Sequence, residues 1–250
     1  MKIRISAKKL EEILDDVALK GKYYNGTTGK NGQLSNFAYV ECWEHQELLQ
    51  ISNADHSTVC RINIDNIGIL KAGTVVFDID KTIKYLKPFG DTEVVLEVTD
   101  YITITSETST AKIPKVLEHP AMTMIAVIKD FSIPTEGMPT FRKTTFESKV
   151  SVLVEDLSVA IKACDAVNNA KYKFETGNNT FVISSERNNL DKFETTVDTI
   201  ENIGEPATVE FTGQFLKFMK NSVSVYMKDD APVLFVSRNR VLMKAPYLER

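Results

Sequence analysis

One pattern occurs twice in this chain, and that constrains its fold more than any other feature. Lys2-Ile3-Arg4-Ile5, followed by Leu10, Ile13 and Leu14, recurs at a constant offset as Lys149-Val150-Ser151-Val152, followed by Leu157, Ala160 and Ile161. Further on, Val75-Val76-Phe77 leading into Ile83-Lys84-Tyr85-Leu86-Lys87 is echoed by Thr208-Val209-Glu210 leading into Leu216-Lys217-Phe218-Met219-Lys220. Each copy closes on strands that end at a proline, Ala111-Lys112-Ile113-Pro114 and Met243-Lys244-Ala245-Pro246. A duplicated chain of 250 residues is long enough for two like domains, each with its own core. The boundaries fall at 1–114 and 141–250, with a connector over 115–140. The connector holds Pro120, Pro134, Gly137 and Pro139 but also Ile125, Val127, Ile128, Phe131 and Ile133, so it is expected to lie docked against a surface.

Within each copy the hydrophobic period assigns the elements. Val94-Val95-Leu96-Glu97-Val98, Tyr101-Ile102-Thr103-Ile104-Thr105 and Ser222-Val223-Ser224-Val225-Tyr226-Met227 follow period two, the signature of half-buried antiparallel strands. Four stretches switch to a helical period: residues 8–19, where Leu10, Ile13, Leu14 and Val17 form one stripe, then about 80–87, 155–167 and 213–220. Asp80 and Thr212 are the expected N-caps, and Pro88 ends the second helix. The fold class is therefore α+β, with two similar domains in the order strand, helix, several strands, helix, strands.

Composition excludes several classes. Hydrophobic residues make up 43% and charged ones 26%, which argues against disorder and supercharged tails. The longest apolar runs are only a few residues and no export signal is recognised, so no membrane partner is expected. Cys42, Cys60 and Cys164 are odd in number and far apart, which suits a reducing compartment better than a disulfide framework. Enzymatic constellations are poor. Cys42-x-x-His45 has no second pair, and His56 and His119 have no ligand spacing, so neither a metal nor a cofactor is expected. Gly26-Thr27-Thr28-Gly29-Lys30 fails the phosphate-loop spacing and reads as a turn, while Asn25-Gly26-Thr27 and Asn178-Asn179-Thr180 read as loops. Adjacent acids such as Asp15-Asp16 on an amphipathic helix read as a solvated face.

The net charge of −4, from 30 basic and 34 acidic residues, rules out a protein that coats nucleic acid with its whole surface, but it is unevenly spread. The windows 7–22, 80–90, 155–173 and 212–221 together carry +4, leaving −8 on the remainder. The helical segments are thus the basic part of an acidic chain.

Several landmarks, in the right order, resemble the sliding clamps of archaea and eukaryotes, the proliferating cell nuclear antigen (PCNA) family. Ser52-Asn53-Ala54-Asp55-His56-Ser57-Thr58-Val59 resembles the family's turn of Met-Asp-Ser-Ser-His-Val type, and Ile133-Pro134-Thr135-Glu136 resembles the end of its interdomain connector. Asp230-Ala231-Pro232-Val233 resembles its Asp-x-Pro-Leu turn, and Ala245-Pro246 its C-terminal Ala-Pro. With the duplication, the resemblance covers nearly the whole chain. It implies the DNA clamp fold, with helices on the inner face and antiparallel sheets outside. It further implies a homotrimeric ring around double-stranded DNA, opened by a clamp loader and tethering DNA polymerase and other replication and repair enzymes, with no chemistry of its own. The compartment would be the cytoplasm of an archaeon or viral host, or a eukaryotic nucleus.

Three residue sets follow from that resemblance. Lys84, Lys87, Lys162, Lys217 and Lys220 would face DNA, where mobile point charges hold phosphate without fixing register, although surface helices also carry lysine for solubility. Glu11 and Glu12 depart from the family pattern, which often has lysine there, and this places Lys8, Lys9, Lys20 and Lys22 in doubt as contacts. Subunits would meet edge to edge, Ser109-Thr110-Ala111-Lys112-Ile113 against Lys192-Phe193-Glu194-Thr195-Thr196-Val197, unless both are internal strands. Partners carrying a PIP-box motif would use Ala54, Phe131, Ile133, Pro232, Met243, Ala245 and Pro246, with Phe131 also open to simple connector packing. Ala54 stands where the family often has methionine, so the partner motif would differ or the pocket be wider. Two other readings remain beside the homotrimer: a subunit of a heteromeric or checkpoint-type clamp, and a hydrolase or transferase built on a duplicated fold.

Overall fold

A computed structural model describes residues 1–18, 36–55, 57–129, 131–134, 137–168, 170–177, 179–187 and 191–247. Lys20, Lys22, the 25–30 turn, His56, Thr135, Glu136, Asn178 and Arg250 lie outside the described residues. The described chain forms two compact units, one up to Lys129 and one after it.

Unit 1 runs β1 (Lys2–Ser6), α1 (Ala7–Val17), β2 (Phe37–Trp43), β3 (Leu48–Ala54), β4 (Thr58–Ile64), β5 (Gly68–Lys71), β6 (Gly73–Asp78), α2 (Ile79–Leu86), β7 (Glu93–Val98), β8 (Tyr101–Thr105), β9 (Thr110–Pro114) and α3 (Met122–Lys129). Its strands form two antiparallel arrays, β5-β1-β7-β8-β9 and β6-β2-β3-β4. The stripe of α1 closes the core, with Leu10, Leu14 and Val17 fully buried. Each such side chain contributes about 1.5–3 kcal/mol by leaving water. Ser6 caps α1 by accepting the Lys9 N–H at 3.3 Å.

Unit 2 opens with a short hairpin, β10 (Thr140–Phe141) and β11 (Thr144–Thr145). It continues as β12 (Ser148–Leu153), α4 (Val154–Val167), β13 (Lys171–Gly177), β14 (Thr180–Arg187), β15 (Asp191–Thr196), β16 (Glu201–Gly204), β17 (Ala207–Thr212), β18 (Ser222–Met227), β19 (Val233–Ser237) and β20 (Arg240–Lys244). The arrays β16-β12-β18-β19-β20 and β17-β13-β14-β15 repeat the strand orders of unit 1. The α+β class is therefore the one expected from the sequence, and the strand order repeats between the units.

Four local expectations are corrected. The second helix is capped by Asp78 and not by Asp80: Asp78 Oδ1 accepts the Lys81 N–H at 3.0 Å, which places Asp80 within the first turn. The fourth helix, expected over 213–220, is a single 3-10 turn, Leu216–Phe218, so Lys217 and Lys220 stand on a turn and its exit. Gly213 has φ +85°, outside the helical region, and Thr212 caps nothing; its carbonyl instead accepts Lys244 Nζ at 2.9 Å. The connector contains a helix, α3, that periodicity did not reveal because Met122-Thr123-Met124-Ile125-Ala126-Val127-Ile128 is nearly uniformly apolar.

Finally, the echo of Val75-Val76-Phe77 in Thr208-Val209-Glu210 is one residue out of register. The ladders pair Ala38 with Phe77 and Tyr172 with Phe211, and all four side chains are buried, so Phe77 corresponds to Phe211. A slip of one residue would turn every side chain to the opposite face. Phe215 then follows Phe211 by four residues where Thr82 follows Phe77 by five, and this shortening, with Gly213, leaves no room for the helical turns of α2.

The cores differ in kind. Unit 2 packs Tyr172, Phe174, Phe181, Phe211, Phe215 and Phe235 into one cluster, with Phe215 stacked on Phe235 at 4.5 Å between centroids. Unit 1 relies on aliphatic side chains such as Ile3, Leu49, Ile51, Ile79 and Leu86.

Candidate functional site

Both stretches expected to join subunits are edge strands. Ser109 ends the β8–β9 turn, where the Ser106 N–H donates to its carbonyl at 2.9 Å, so hydrogen-bonded pairs alternate from there: Ile104 with Ala111, Ile102 with Ile113. Thr110 and Lys112 therefore aim their backbone N–H and C=O away from β8, and among the described residues β9 is the last strand of its array. In unit 2 the Val197 N–H donates to the Phe181 carbonyl at 2.8 Å, so Ile183–Thr195 and Ser185–Phe193 are the bonded pairs. Lys192, Glu194 and Thr196 then aim their backbone groups away from β14 along the outer edge of β15. Ile113 and Val197 are buried and belong to the cores, not to exposed edges.

Beside the β15 edge runs a groove of about 240 Å³, floored by Ala160, Ala163, Phe193 and Val197 and bordered by Val159, which is 72% exposed. Sequence reasoning missed this groove. Its one signal was a valine on the polar side of α4. Lys192 and Glu194 pair with each other at 2.7 Å on the outer sheet face; this proximity lowers the Glu194 carboxyl and raises the Lys192 ammonium from their ordinary ranges.

The five candidate DNA-facing lysines are all exposed. Lys84 and Lys87 lie with Glu11, Glu12, Asp15, Asp80 and Ile83 around a groove of about 420 Å³ between α1 and α2. Lys162 sits mid-way along α4. The turn bearing Lys217 and Lys220 is tied to the same helix, because Gln214 Nε2 donates to Asp165 Oδ2 at 3.4 Å. Asp165 also accepts the hydroxyl of buried Tyr172 at 2.6 Å and the Ala170 N–H at 3.1 Å. Lys8 is exposed and pairs with Asp91 at 3.3 Å.

Of the partner-motif residues, Ala54 lies in unit 1, buried at the end of β3. Phe131 is buried and Ile133 exposed in unit 2. The other four cluster around one hairpin: Val233 pairs with Lys244 and Leu234 with Met243, so Pro232, just before β19, and Ala245-Pro246, after β20, stand at the same end. Met243 is buried there, while Ala245 is exposed and Pro246 intermediate. Asp230, with φ +57°, makes the turn into β19. On the other side of the chain, Asp55 Oδ1 accepts the Ser57 and Thr58 N–H groups, both at 2.7 Å, and so shapes the turn after Ala54.

A polar network that the sequence did not disclose holds α3. His119 is buried, and its Nδ1 accepts the Ala121 N–H at 3.0 Å, which leaves Nε2–H to donate to the Phe37 carbonyl at 3.0 Å and to Asn53 Oδ1 at 3.2 Å. Burial holds its pKa below the ordinary 6.5. Asn53 in turn donates to the Val17 carbonyl at the end of α1, 3.0 Å away. At the other end of α3, buried Arg61 donates to the Ile128 carbonyl at 2.6 Å.

Among the described residues no group of His, Cys, Asp and Glu is arranged to hold a metal ion, and no helix is long and apolar enough to cross a membrane. All three cysteines are buried as free thiols, and burial pushes Cys164 up to about 11.

Two units, each of two antiparallel arrays and repeating one strand order, define the sliding-clamp fold. Solved structures of that fold match across the whole chain. A. fulgidus PCNA bound to the C-terminal region of FEN-1 matches with a TM-score of 0.69 and 16% identity over 100% of this chain and 99% of that one. The DNA polymerase III β chain of Streptococcus pneumoniae matches with a TM-score of 0.75 and 13% identity, and the β subunit of Thermotoga maritima with 0.74 and 14%. Both cover all of this chain, which spans 65% and 66% of theirs. No family model and no curated protein matches the sequence. At these identities the likeness establishes the fold alone.

Proposed function

We propose that this protein is a DNA sliding clamp, a non-enzymatic ring that encircles duplex DNA and tethers a polymerase and other replication and repair enzymes. The observation that carries this reading is the pair of open edges. β9 on unit 1 and β15 on unit 2 each expose backbone donors and acceptors, and two different edges of one chain make a head-to-tail contact that can close into a ring. The groove beside β15 supports the same reading, since Val159, Ala160, Ala163, Phe193 and Val197 give such a contact a hydrophobic strip, bordered by Asp156, Thr195, Thr196 and Asp198. A ring needs only weak attraction to phosphate because topology prevents escape, which suits exposed lysines on an acidic chain. Three copies of two units is the assembly proposed, with Thr110 and Lys112 pairing with Lys192, Glu194 and Thr196 of the next copy. Lys84, Lys87, Lys162, Lys217 and Lys220 are proposed for the DNA side. The Pro232, Met243, Ala245 and Pro246 end of the β19–β20 hairpin, with Phe131, Ile133 and Ala54, is proposed to receive partner motifs.

Light scattering on the purified chain tests the assembly. A mass of three chains at micromolar concentration is expected; a chain that stays monomeric at high concentration overturns the homotrimer, and recovery of a ring only with a second, different chain makes it a heteromeric clamp. Processivity of a polymerase on primed circular DNA, measured with a clamp loader, tests the activity. An increase in product length is expected, and no increase overturns the clamp reading.

A further inference from the structure

The turn that bears Lys217 and Lys220 is held differently from its counterpart α2. In unit 1, Asp78 caps α2, and the helix that follows satisfies its own carbonyls. Thr212 stands at the position of Asp78, because Phe211 matches Phe77, but no α-helical turn follows it to supply a donor for its carbonyl. Lys244 supplies one: its side chain is buried, and Nζ donates to the Thr212 carbonyl at 2.9 Å. A Cβ added at Gly213 would lie 3.0 Å from that Nζ, so the lysine packs against the turn itself. At the far end of the segment, Arg240 Nη1 donates to the Phe218 carbonyl at 3.0 Å, with its guanidinium over the Phe218 ring. Ser237 Oγ accepts the Lys220 N–H at 3.3 Å and donates to the Lys220 carbonyl at 2.6 Å. Residues 212–220 thus run along the β19–β20 hairpin from its open end to its tip and are fastened at both.

The ladders show what stands at these positions in unit 1. Val150, Val225, Phe235 and Leu242 pair in the order that Ile3, Leu96, Ile104 and Ala111 do, so Lys244 matches Ile113 of β9, Arg240 matches Ser109 and Ser237 matches Ser106. The Ile113 side chain has no donor, and Ser106 and Ser109 bond to each other across their own turn. The hairpin of unit 2 therefore does what the backbone of α2 does for itself in unit 1.

We propose that Lys244 is a positioning residue that couples two sites: the open end of the hairpin, where Pro232, Met243, Ala245 and Pro246 would receive a partner motif, and the turn that presents Lys217 and Lys220 to DNA. The proposal rests on the clamp reading and goes beyond it. Lys244 lies between Met243 and Ala245, so a motif seated there fixes the backbone from which its side chain starts. Burial leaves that side chain little rotamer freedom, and fixing its Cα fixes the donor to Thr212 as well. The turn is then ordered before phosphate reaches it, which favours DNA binding, and linkage requires that DNA favour the partner motif by the same factor.

Fluorescence anisotropy on the full-length protein at low salt tests this, with a labelled short blunt-ended duplex as one ligand and a synthetic PIP-box peptide as the other. Saturating peptide is expected to tighten duplex binding about fivefold, and saturating duplex to tighten peptide binding by the same factor. In Lys244→Met, which keeps the unbranched stem and loses Nζ, each ligand should leave the affinity for the other unchanged. No effect of one ligand on the other in the wild type, or an equal effect in Lys244→Met, overturns the proposal and leaves the clamp reading intact, since both ligands still bind. If the wild type binds no duplex or no peptide, the clamp reading fails and this inference with it. Should Lys244→Met melt early, hydrogen exchange of the wild type makes the test without a variant. Peptide should slow exchange at Gly213, Phe218 and Met219, whose N–H groups donate to the carbonyls of Ala170, Phe215 and Leu216. Unaltered exchange over 212–220 overturns the coupling.

Discussion

Strands β4 and β15 hold the same place in the two units and meet opposite fates. Within its unit each pairs with one strand, β3 or β14, and the pairs correspond: Asn53 with Cys60 in one, Ser185 with Phe193 in the other. At the position of Asn53, which donates to the Val17 carbonyl at the end of α1, Ser185 donates to the Lys171 carbonyl at 2.8 Å and lies 3.4 Å from the Asn168 carbonyl just past α4. Yet β4 is buried at six of its seven positions and has α3 on its outer face, whereas β15 has no fully buried residue. Arg61 reaches from β4 to the Ile128 carbonyl, while Glu194, its counterpart, pairs with Lys192 in solvent. A repeat thus conserves strand order and core direction, and the outer residues decide which copy carries α3 and which keeps its outer face open.

Proline substitution breaks that contrast most severely. Glu194→Pro removes an N–H that points away from β14, so unit 2 should keep its fold while assembly is lost, and light scattering should report single chains. Loss of secondary structure in this variant would mean that β15 is not an open edge. Next in size is Phe215→Ala, which should cost about 3–5 kcal/mol in urea unfolding because it opens the centre of the aromatic cluster of unit 2. Arg61→Ala should cost about 1.5–3 kcal/mol by leaving the end of α3 without its charged donor. By contrast, Glu194→Ala should leave the unfolding midpoint unchanged, and equal effects at these two positions would erase the distinction between the strands.

Acid should loosen the covered side first. The His119 pKa is depressed in the folded protein, so the unfolded chain binds a proton that the native one resists, and stability falls as pH drops below 6.5 towards the lower native value. Protonation at Nδ1 also breaks the bond from Ala121, so hydrogen exchange should quicken in α3 over that window and stay unchanged in β15. His119→Gln should remove the pH dependence, and an unaltered stability slope in that variant would sink the assignment. The smallest effect expected is at Thr82, where Phe215 stands in unit 2. Its hydroxyl is buried without a hydrogen-bond partner among the described residues, so Thr82→Val should stabilise unit 1 by up to about 1 kcal/mol.

Much of this was legible in the chain. Leu10, Ile13, Leu14 and Val17 announced α1 and alternation announced β7, β8 and β18, because period and propensity are local properties, whereas the edges β9 and β15 were expected only from the family resemblance. α3 was hidden by its uniform apolarity, and His119 and Arg61 gave no signal because their partners lie 82 and 67 residues away. For the same reason Glu11 and Asp15 could be read as acids on one helix, but not as neighbours of Lys84 and Lys87 on another.

The sequence by itself determined that the protein is a duplicated α+β chain, since repeats and periodicity are written in neighbouring residues. Only the tertiary structure decided that the second copy of α2 becomes a 3-10 turn. There Gly213 at φ +85° and a segment one residue shorter let Phe215 stack on Phe235, and burial of that aromatic ring outweighs the hydrogen bonds of two helical turns.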